Sequence, residues 1–138
     1  MLLLAAVCAL CASGCHHESP TQPGGASLTG TWTSTSFTFC GVGDWRTVTL
    51  VLQQSGSALT GEITTADGMH FAVSGTIESG LEIDFGPNPN TGMCTSIGLS
   101  IANITLGAGG AAAAFSGQQS GYCCGTQVGQ YRFDRPVS

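Results

Sequence analysis

Cysteine is the residue type in this chain with the most chemistry to offer. Four of the seven cysteines, Cys40, Cys94, Cys123 and Cys124, lie beyond residue 30. Cysteine side chains pair as disulfides, act as redox switches or bind metals. These four lack the paired C-x-x-C spacing that is typical of zinc sites. Three interpretations stay open: structural disulfides, a vicinal Cys123–Cys124 redox disulfide, and a metal site.

The other three cysteines lie in or directly after an apolar N-terminal run. Residues 1–12 are almost entirely apolar, too short to cross a bilayer as a helix, and typical of a signal peptide. Small residues follow in Ala12–Gly14, immediately before Cys15. This segment resembles the lipobox of bacterial lipoproteins. The resemblance implies cleavage before Cys15 and lipidation of that cysteine, so that the chain is exported and anchored to the cell envelope.

The same segment has a second interpretation as a haem attachment site. Cys11, Cys15 and His16 form C-x-x-x-C-H, one residue longer than the C-x-x-C-H haem motif. A signal peptide would remove Cys11, which argues against haem. His16 and His17 could bind a metal, but they begin a Pro- and Gly-rich segment that is typical of a flexible tether. We therefore expect no cofactor. Because His16 rather than Asp follows Cys15, the lipoprotein resemblance favours the outer membrane.

These observations predict three regions: a signal peptide over 1–14, the lipidated Cys15 and tether over 15–27, and one domain over 28–138. Charge then limits the partners of that domain. Only 8% of residues are charged, the formal net charge is −5, and the three arginines, Arg46, Arg132 and Arg135, are scattered. With no basic patch, nucleic acid is not an expected partner.

Catalytic motifs are missing from the sequence. It has no Gly-rich phosphate loop, no H-E-x-x-H and no G-x-S-x-G. His70, the one histidine of the domain, falls on the polar face of a predicted strand, and so do Glu62, Glu78, Glu82 and Asp84. We therefore expect no enzyme activity.

Apolar and polar residues alternate along most of the domain, the pattern of half-buried strands. Turn signals separate the runs, as at Asp67-Gly68 and Ser79-Gly80. The apolar face switches after Ile101, which predicts a bulge near Ala102-Asn103. The predicted strands are 30–39, 47–53, 59–64, 70–78, 81–85, 97–106, 113–119 and 127–134. Eight short strands predict an all-β, eight-stranded antiparallel up-and-down meander barrel, with an open β-sandwich as the alternative.

The first strand carries a resemblance to lipocalin-like barrels. Gly30-Thr31-Trp32 looks like their G-x-W signature, and Leu28–Trp32 followed by Ala58–Gly61 is similar to avidins. The resemblance implies that Trp32 plugs one barrel end and that an arginine of the last strand, Arg132 or Arg135, packs across it. Biotin binding is not implied, because Trp45 is the only other tryptophan.

A meander brings the cysteines to one end, because every odd-numbered strand ends there. We predict that Cys40 and Cys94 each bond one of Cys123 and Cys124, as expected for an exported domain. The same end holds the longest predicted loops, Gly41–Trp45, Gly86–Thr95 and Gly117–Thr126.

Binding residues concentrate on loops held by a rigid scaffold. The candidate contact residues at this long-loop end are Asp44, Trp45, Asn88, Asn90, Met93 and Tyr122. Two functions are expected. The first is a non-catalytic binding module for a small apolar ligand or for a partner gripped by the loops. The second is a structural or inhibitor-type envelope protein that acts by protein–protein contact.

Overall fold

A computed structural model describes residues 25–35, 37, 47–86, 96–121 and 129–137 of the chain. Nine strands and a single 3-10 turn (Ala108–Gly110) make up its secondary structure. None of the residues described forms a helix long and apolar enough to span a membrane. The strands are β1 (Gly30–Ser34), β2 (Val48–Ser55), β3 (Ala58–Thr65), β4 (His70–Thr76), β5 (Gly80–Asp84), β6 (Ser96–Leu99), β7 (Asn103–Leu106), β8 (Ala112–Gly121) and β9 (Gly129–Asp134).

Eight of these strands form a closed antiparallel barrel, as the alternation predicts. Consecutive strands pair from β1 to β6, β6 pairs with β8, β8 with β9, and β9 returns to β1. Strand β7 lies outside this ring. It pairs with residues 112–116 of β8, along the same edge on which β6 pairs with residues 119–121. The open sandwich is therefore excluded.

Alternating side chains build the core of the barrel. On β2, Val48, Leu50 and Leu52 are buried, and Val51 between them is exposed. The buried side chains of the ring form one contiguous cluster with Trp32 and Phe115 among its largest members. The polar face contains Glu62, Glu78, Glu82, Asp84 and His70, all of which are exposed as predicted.

The first strand is shorter than its alternation predicts. It ends at Ser34, residue 35 is a bend and Phe37 is not in a strand, so the prediction of a strand through these residues is wrong, while residues 36, 38 and 39 lie outside the described residues. Phe37 is fully buried, and its ring centroid lies 5.7 Å from that of Phe133. Burying a large aromatic side chain in the core outweighs continued pairing of this segment along the barrel wall.

The predicted bulge separates β6 from β7. Between these strands, the four-residue step from Leu99 to Asn103 lies opposite a three-residue step from Gln119 to Ser116. Ser100, at the break, accepts from the Gln118 amide through Oγ (3.0 Å), and its own amide donates to the Gln118 carbonyl (2.9 Å). The Tyr131 hydroxyl donates to the Ser100 carbonyl at 2.7 Å. The buried Tyr131 side chain of β9 thus holds the bulge between β6 and β7 in place.

The burial of the Tyr131 phenol predicts that the protein loses stability at alkaline pH. Burial raises the pKa of Tyr131 above its ordinary value, so the folded state holds the phenol proton more tightly than the unfolded state. Its contribution is present below about pH 10, the ordinary tyrosine pKa, and declines as the pH rises further. We expect Tyr131→Phe to cost about 1 kcal/mol at neutral pH through the lost hydrogen bond.

Urea unfolding of both proteins at neutral and alkaline pH tests this expectation. The difference between them should shrink as the pH rises above about 10. A difference that stays constant, or that grows, would contradict the assignment.

Candidate functional site

Trp32 closes one end of the barrel. Its side chain is fully buried, its Nε1 donates to the Leu28 carbonyl at 2.8 Å, and its ring meets Phe115 edge-on at 4.9 Å between centroids. Leu28 is itself fully buried, because the segment before β1 folds beneath the ring. The Arg135 guanidinium carbon lies 4.0 Å from the centre of the Trp32 ring, a cation–π contact. We call this the plugged end.

Of the two arginines considered for this contact, Arg135 is the one that meets Trp32. Arg132 lies on the outer surface, where its Nη2 is 2.7 Å from Asp134 Oδ1, and this hydrogen bond raises the pKa of Arg132. Two residues of spacing on a strand place side chains on the same face. Arg132 therefore shares the outer face with Asp134, whereas Arg135 has the inward parity of Tyr131 and Phe133 and lies just past the end of β9, beneath the barrel.

Gly30 explains the G-x-W pattern in this chain. Its φ is +130°, and a Cβ built there would lie 2.1 Å from Arg135 Nη1. Any side chain at position 30 would therefore occupy the place of the guanidinium. The glycine keeps a space free in which the arginine can lie on the tryptophan.

The Arg135 guanidinium also holds the barrel shut. In the described part of the chain the β1–β9 seam has one register pair, Thr33 opposite Asp134. Arg135 Nη1 donates to the Thr29 carbonyl (2.9 Å) and Nη2 to that of Ser27 (3.4 Å), both before β1. Its Nε donates to the Ala112 carbonyl of β8 at 3.1 Å. One side chain thus bridges the seam that a short ladder leaves weak.

The opposite end carries the long connections, and we call it the loop end. Residues 35–47, 85–95 and 122–128 all join strands there, together with the short turn 66–69. Strand β8 continues to Gly121, so the last long connection begins later than the predicted Gly117. The candidate contact residues Asp44, Trp45, Asn88, Asn90, Met93 and Tyr122 lie outside the described residues. So do Cys15, Cys40, Cys94, Cys123 and Cys124.

Among the described residues, three buried polar side chains lie on the inner face of strands toward the loop end. Ser34, Thr65 and Gln119 are 3%, 4% and 9% exposed. The Thr65 hydroxyl donates to the Asp67 carboxylate and accepts from the Met69 amide (3.0 Å), so the turn satisfies it. Alternation from Trp32 and from Phe115 would have assigned Ser34 and Gln119 to the inner face.

Ser34 differs from the other buried polar residues in its hydrogen bonding. Its buried Oγ has no hydrogen-bond partner within the part of the protein that the structure describes. An unsatisfied buried hydroxyl costs about 1–3 kcal/mol.

This hydroxyl gives a prediction whose sign is informative. If Ser34 Oγ serves no partner, Ser34→Ala should stabilise the protein by about 1 kcal/mol. Chemical denaturation of both proteins measures the change, with the exposed Ser74→Ala as the matched control, for which we expect no change. A Ser34→Ala variant that is less stable would show that the hydroxyl has a partner in solution.

One side-chain cluster on the outer wall has the residue types of a hydrolase. His70 Nδ1 lies 2.8 Å from Glu62 Oε1 and 3.2 Å from the Thr64 hydroxyl. A catalytic triad needs the acid and the nucleophile on different ring nitrogens, whereas both contacts here use Nδ1. The His70 and Glu62 side chains are each 57% exposed. This cluster is an exposed polar pair, and the described residues contain no group of three metal-ligating side chains.

A shallow groove of about 420 Å³ crosses the outer wall between β4 and β8. Ser74, Glu82, Gly98 and Ser120 line it, so it forms where outward side chains are small. Its lining offers one carboxylate and no aromatic ring, and it extends to the turn at Ser79 and Gly80.

The chain matches no protein-family model, and comparisons with curated proteins and with solved structures found no match either.

Proposed function

We propose that this chain is a non-catalytic, lipid-anchored lipoprotein of the cell envelope that binds a partner protein through its loop end. The observation that carries the proposal is the contrast between the two ends of the barrel. One end is plugged and fastened by Trp32 and Arg135, and the other carries the three long connections.

The position of the N-terminal segment gives this contrast a direction. Arg135 contacts the carbonyls of Ser27 and Thr29, so the chain enters the barrel at the plugged end. A tether to a lipid on Cys15 would approach from that side. The loop end would then face away from the bilayer, where a partner can reach it.

The barrel interior favours a protein partner over a small apolar ligand. Core side chains from all eight ring strands join one cluster, and eleven of the largest are less than 2% exposed. Barrels of eight strands have room for their own side chains or for one small ligand. Side chains already take up that room here, so the loops are the better candidate for the binding surface.

Disulfides at the loop end belong to the same proposal. The connections that contain Cys40, Cys94, Cys123 and Cys124 all leave the barrel at this end. Bridges from Cys40 and Cys94 to the vicinal pair would join three long loops and hold them ready for a partner. Such long-range links stabilise by about 3–5 kcal/mol each in the loop-entropy model.

Site-specific photo-crosslinking tests the binding surface. The full chain, exported with its own signal, carries a photo-reactive residue at Asn90 of the loop end or at Glu78 of the exposed turn at the plugged end. We expect a defined protein adduct from position 90 that unlabelled full chain competes away, and none from position 78. Equal adducts at both positions would contradict the proposal.

Native mass spectrometry of the same purified chain tests the apolar-ligand alternative and the bridges. We expect no co-purified apolar molecule and a mass lower by two hydrogens for each bridge than after reduction. A stoichiometric, non-covalently bound apolar molecule besides the lipid on Cys15, together with no crosslink at position 90, would favour a ligand inside the barrel. Free thiols would remove the disulfide framework and reopen the metal interpretation.

A further inference from the structure

A hairpin extends past the ring at the plugged end. It runs from Asn103 through the 3-10 turn to Ala113, and we call it the basal hairpin. Strand β7 pairs only with β8, so this hairpin has no neighbour on its other edge among the described strands. Every residue from Thr105 to Ala111 is exposed, and Leu106 is 48% exposed.

The surface of the basal hairpin has an unusual composition for an exposed turn. Its tip reads Leu106-Gly-Ala-Gly-Gly-Ala111, and no charged residue occurs between Asp84 and Arg132. Exposed turns normally carry polar residues. The turns 66–69 and 77–79 of this barrel follow that rule with Asp67 and Glu78. Only the basal hairpin, among the turns that the structure describes, presents an apolar tip.

The base of this hairpin lies next to the point where the chain enters the barrel. Arg135 donates from Nε to the Ala112 carbonyl and from Nη2 to the Ser27 carbonyl. A single guanidinium therefore spans the distance between the hairpin and the N-terminal segment. An attachment that fixes the N-terminal segment at a surface therefore also keeps the basal hairpin close to that surface.

We propose that the basal hairpin rests on the bilayer surface to which Cys15 is anchored. This inference relies on the lipid anchor of the proposed function. Only residues 16–24 separate Cys15 from Gly25, and a flexible linker of this length has a root-mean-square span of about 15–20 Å. Linkage at this distance gives an effective concentration in the millimolar range, so a weak contact suffices.

The chemistry of the tip suits the headgroup region. An uncharged tip carries no ion that must lose its hydration, and its small side chains let the backbone approach closely. Two hydrogen bonds, Gly107 N to Ala111 O (2.8 Å) and Gly110 N to Gly107 O (3.2 Å), already satisfy part of the turn. The other peptide groups need water, which limits the contact to the interface.

Contact at two points would orient the whole barrel. A lipid alone lets the domain rotate freely on its tether, whereas a lipid and a hairpin together hold the plugged end toward the bilayer. The loop end would then project away from it. This orientation deepens the proposed function by presenting the loops to a partner.

Fluorescence quenching by brominated lipids tests the contact. The full lipidated chain, incorporated in phosphatidylcholine vesicles with bromines near the headgroups, carries Ala108→Trp at the hairpin tip or Ala66→Trp at the loop end. Both positions are exposed turn alanines, which makes the two variants a matched pair. After subtraction of the parent signal, we expect a loss of fluorescence at position 108 and none at position 66.

Hydrogen exchange of the unsubstituted chain provides a measurement that an added tryptophan cannot bias. We expect slower exchange of the amides of residues 106–111 on vesicles than in vesicle-free solution. Equal quenching at both positions, or exchange unchanged by vesicles while Cys15 carries lipid, would overturn this inference alone. An intact mass without lipid on Cys15 would overturn the anchor of the proposed function as well. Protection that appears in concentrated protein without vesicles would identify a second copy as the occupant.

Discussion

Replacing Arg135 with alanine is expected to lower the free energy of unfolding by about 3 kcal/mol, from lost hydrogen bonds to a charged donor and a lost cation–π contact. The guanidinium donates to three backbone carbonyls and covers Trp32. Those carbonyls belong to two segments that are distant in sequence, the residues before β1 and the start of β8. Urea unfolding should show a lower midpoint with an unchanged slope.

Two further variants separate the contribution of the several Arg135 donors from that of its positive charge. Arg135→Lys keeps the charge but offers one compact ammonium, which cannot reach Thr29 and Ala112 together, so we expect it to recover less than half of the loss. Arg132→Ala removes an exposed arginine whose ion pair with Asp134 is screened by solvent, and we expect no measurable change in stability. Equal effects of Arg132→Ala and Arg135→Ala would contradict the role of Arg135 at the seam.

Gly117→Ala is expected to destabilise the barrel by about 3 kcal/mol, as overpacking against a rigid neighbour does. A Cβ at this position would lie 1.7 Å from the Ser100 carbonyl oxygen and 2.7 Å from its carbon. That carbonyl is held by the Tyr131 hydroxyl, and the Ser100 side chain is held by Gln118. The backbone cannot move away without opening the bulge between β6 and β7.

Gly129→Ala provides the control with the opposite sign. It is a strand glycine with φ outside the left-handed region, and among the described residues its Cβ would meet nothing closer than the Gln119 side chain at 3.9 Å. Alanine there restricts the unfolded chain at no steric cost, so we expect a gain of about 0.5 kcal/mol. Thermal or urea unfolding of the two variants side by side measures both. A Gly117→Ala protein as stable as the parent would show that the bulge can relax.

Much of the fold could be predicted from local patterns. The alternation along Val48–Gln53 and His70–Thr76 predicts the strands, and their even spacing predicts a barrel. The face switch after Ile101 predicts the bulge, although the carbonyl of Ser100 that Tyr131 holds there leaves no signal in the sequence. The end of β1 was predicted wrongly, because the burial of Phe37 against Phe133 depends on a strand about a hundred residues away.

Some features of the candidate site could likewise be predicted from the sequence, and others could not. Its position at one end follows from strand order, because odd-numbered strands of a meander end together. Ser34 was missed because serine is small and polar, although alternation from Trp32 places it on the inner face. The choice between Arg132 and Arg135 was left open because both are close to the last strand, although alternation from Tyr131 and Phe133 places Arg135 on the inner side and Arg132 on the outer side.

The sequence by itself determined the strand period, the inward residues, the turns and the uncharged stretch that contains the basal hairpin. Those features are local, because alternation and turn residues act within a few peptide units. Only the tertiary structure decided that the sheet closes, that the Arg135 side chain reaches Trp32 and the Thr29 carbonyl, and that the hairpin lies beside the N-terminal segment. Each of these depends on contacts between distant parts of the chain, as between Arg135 and Thr29, which lie 106 residues apart. Register and closure fix such contacts, and neither is written in any short stretch of residues.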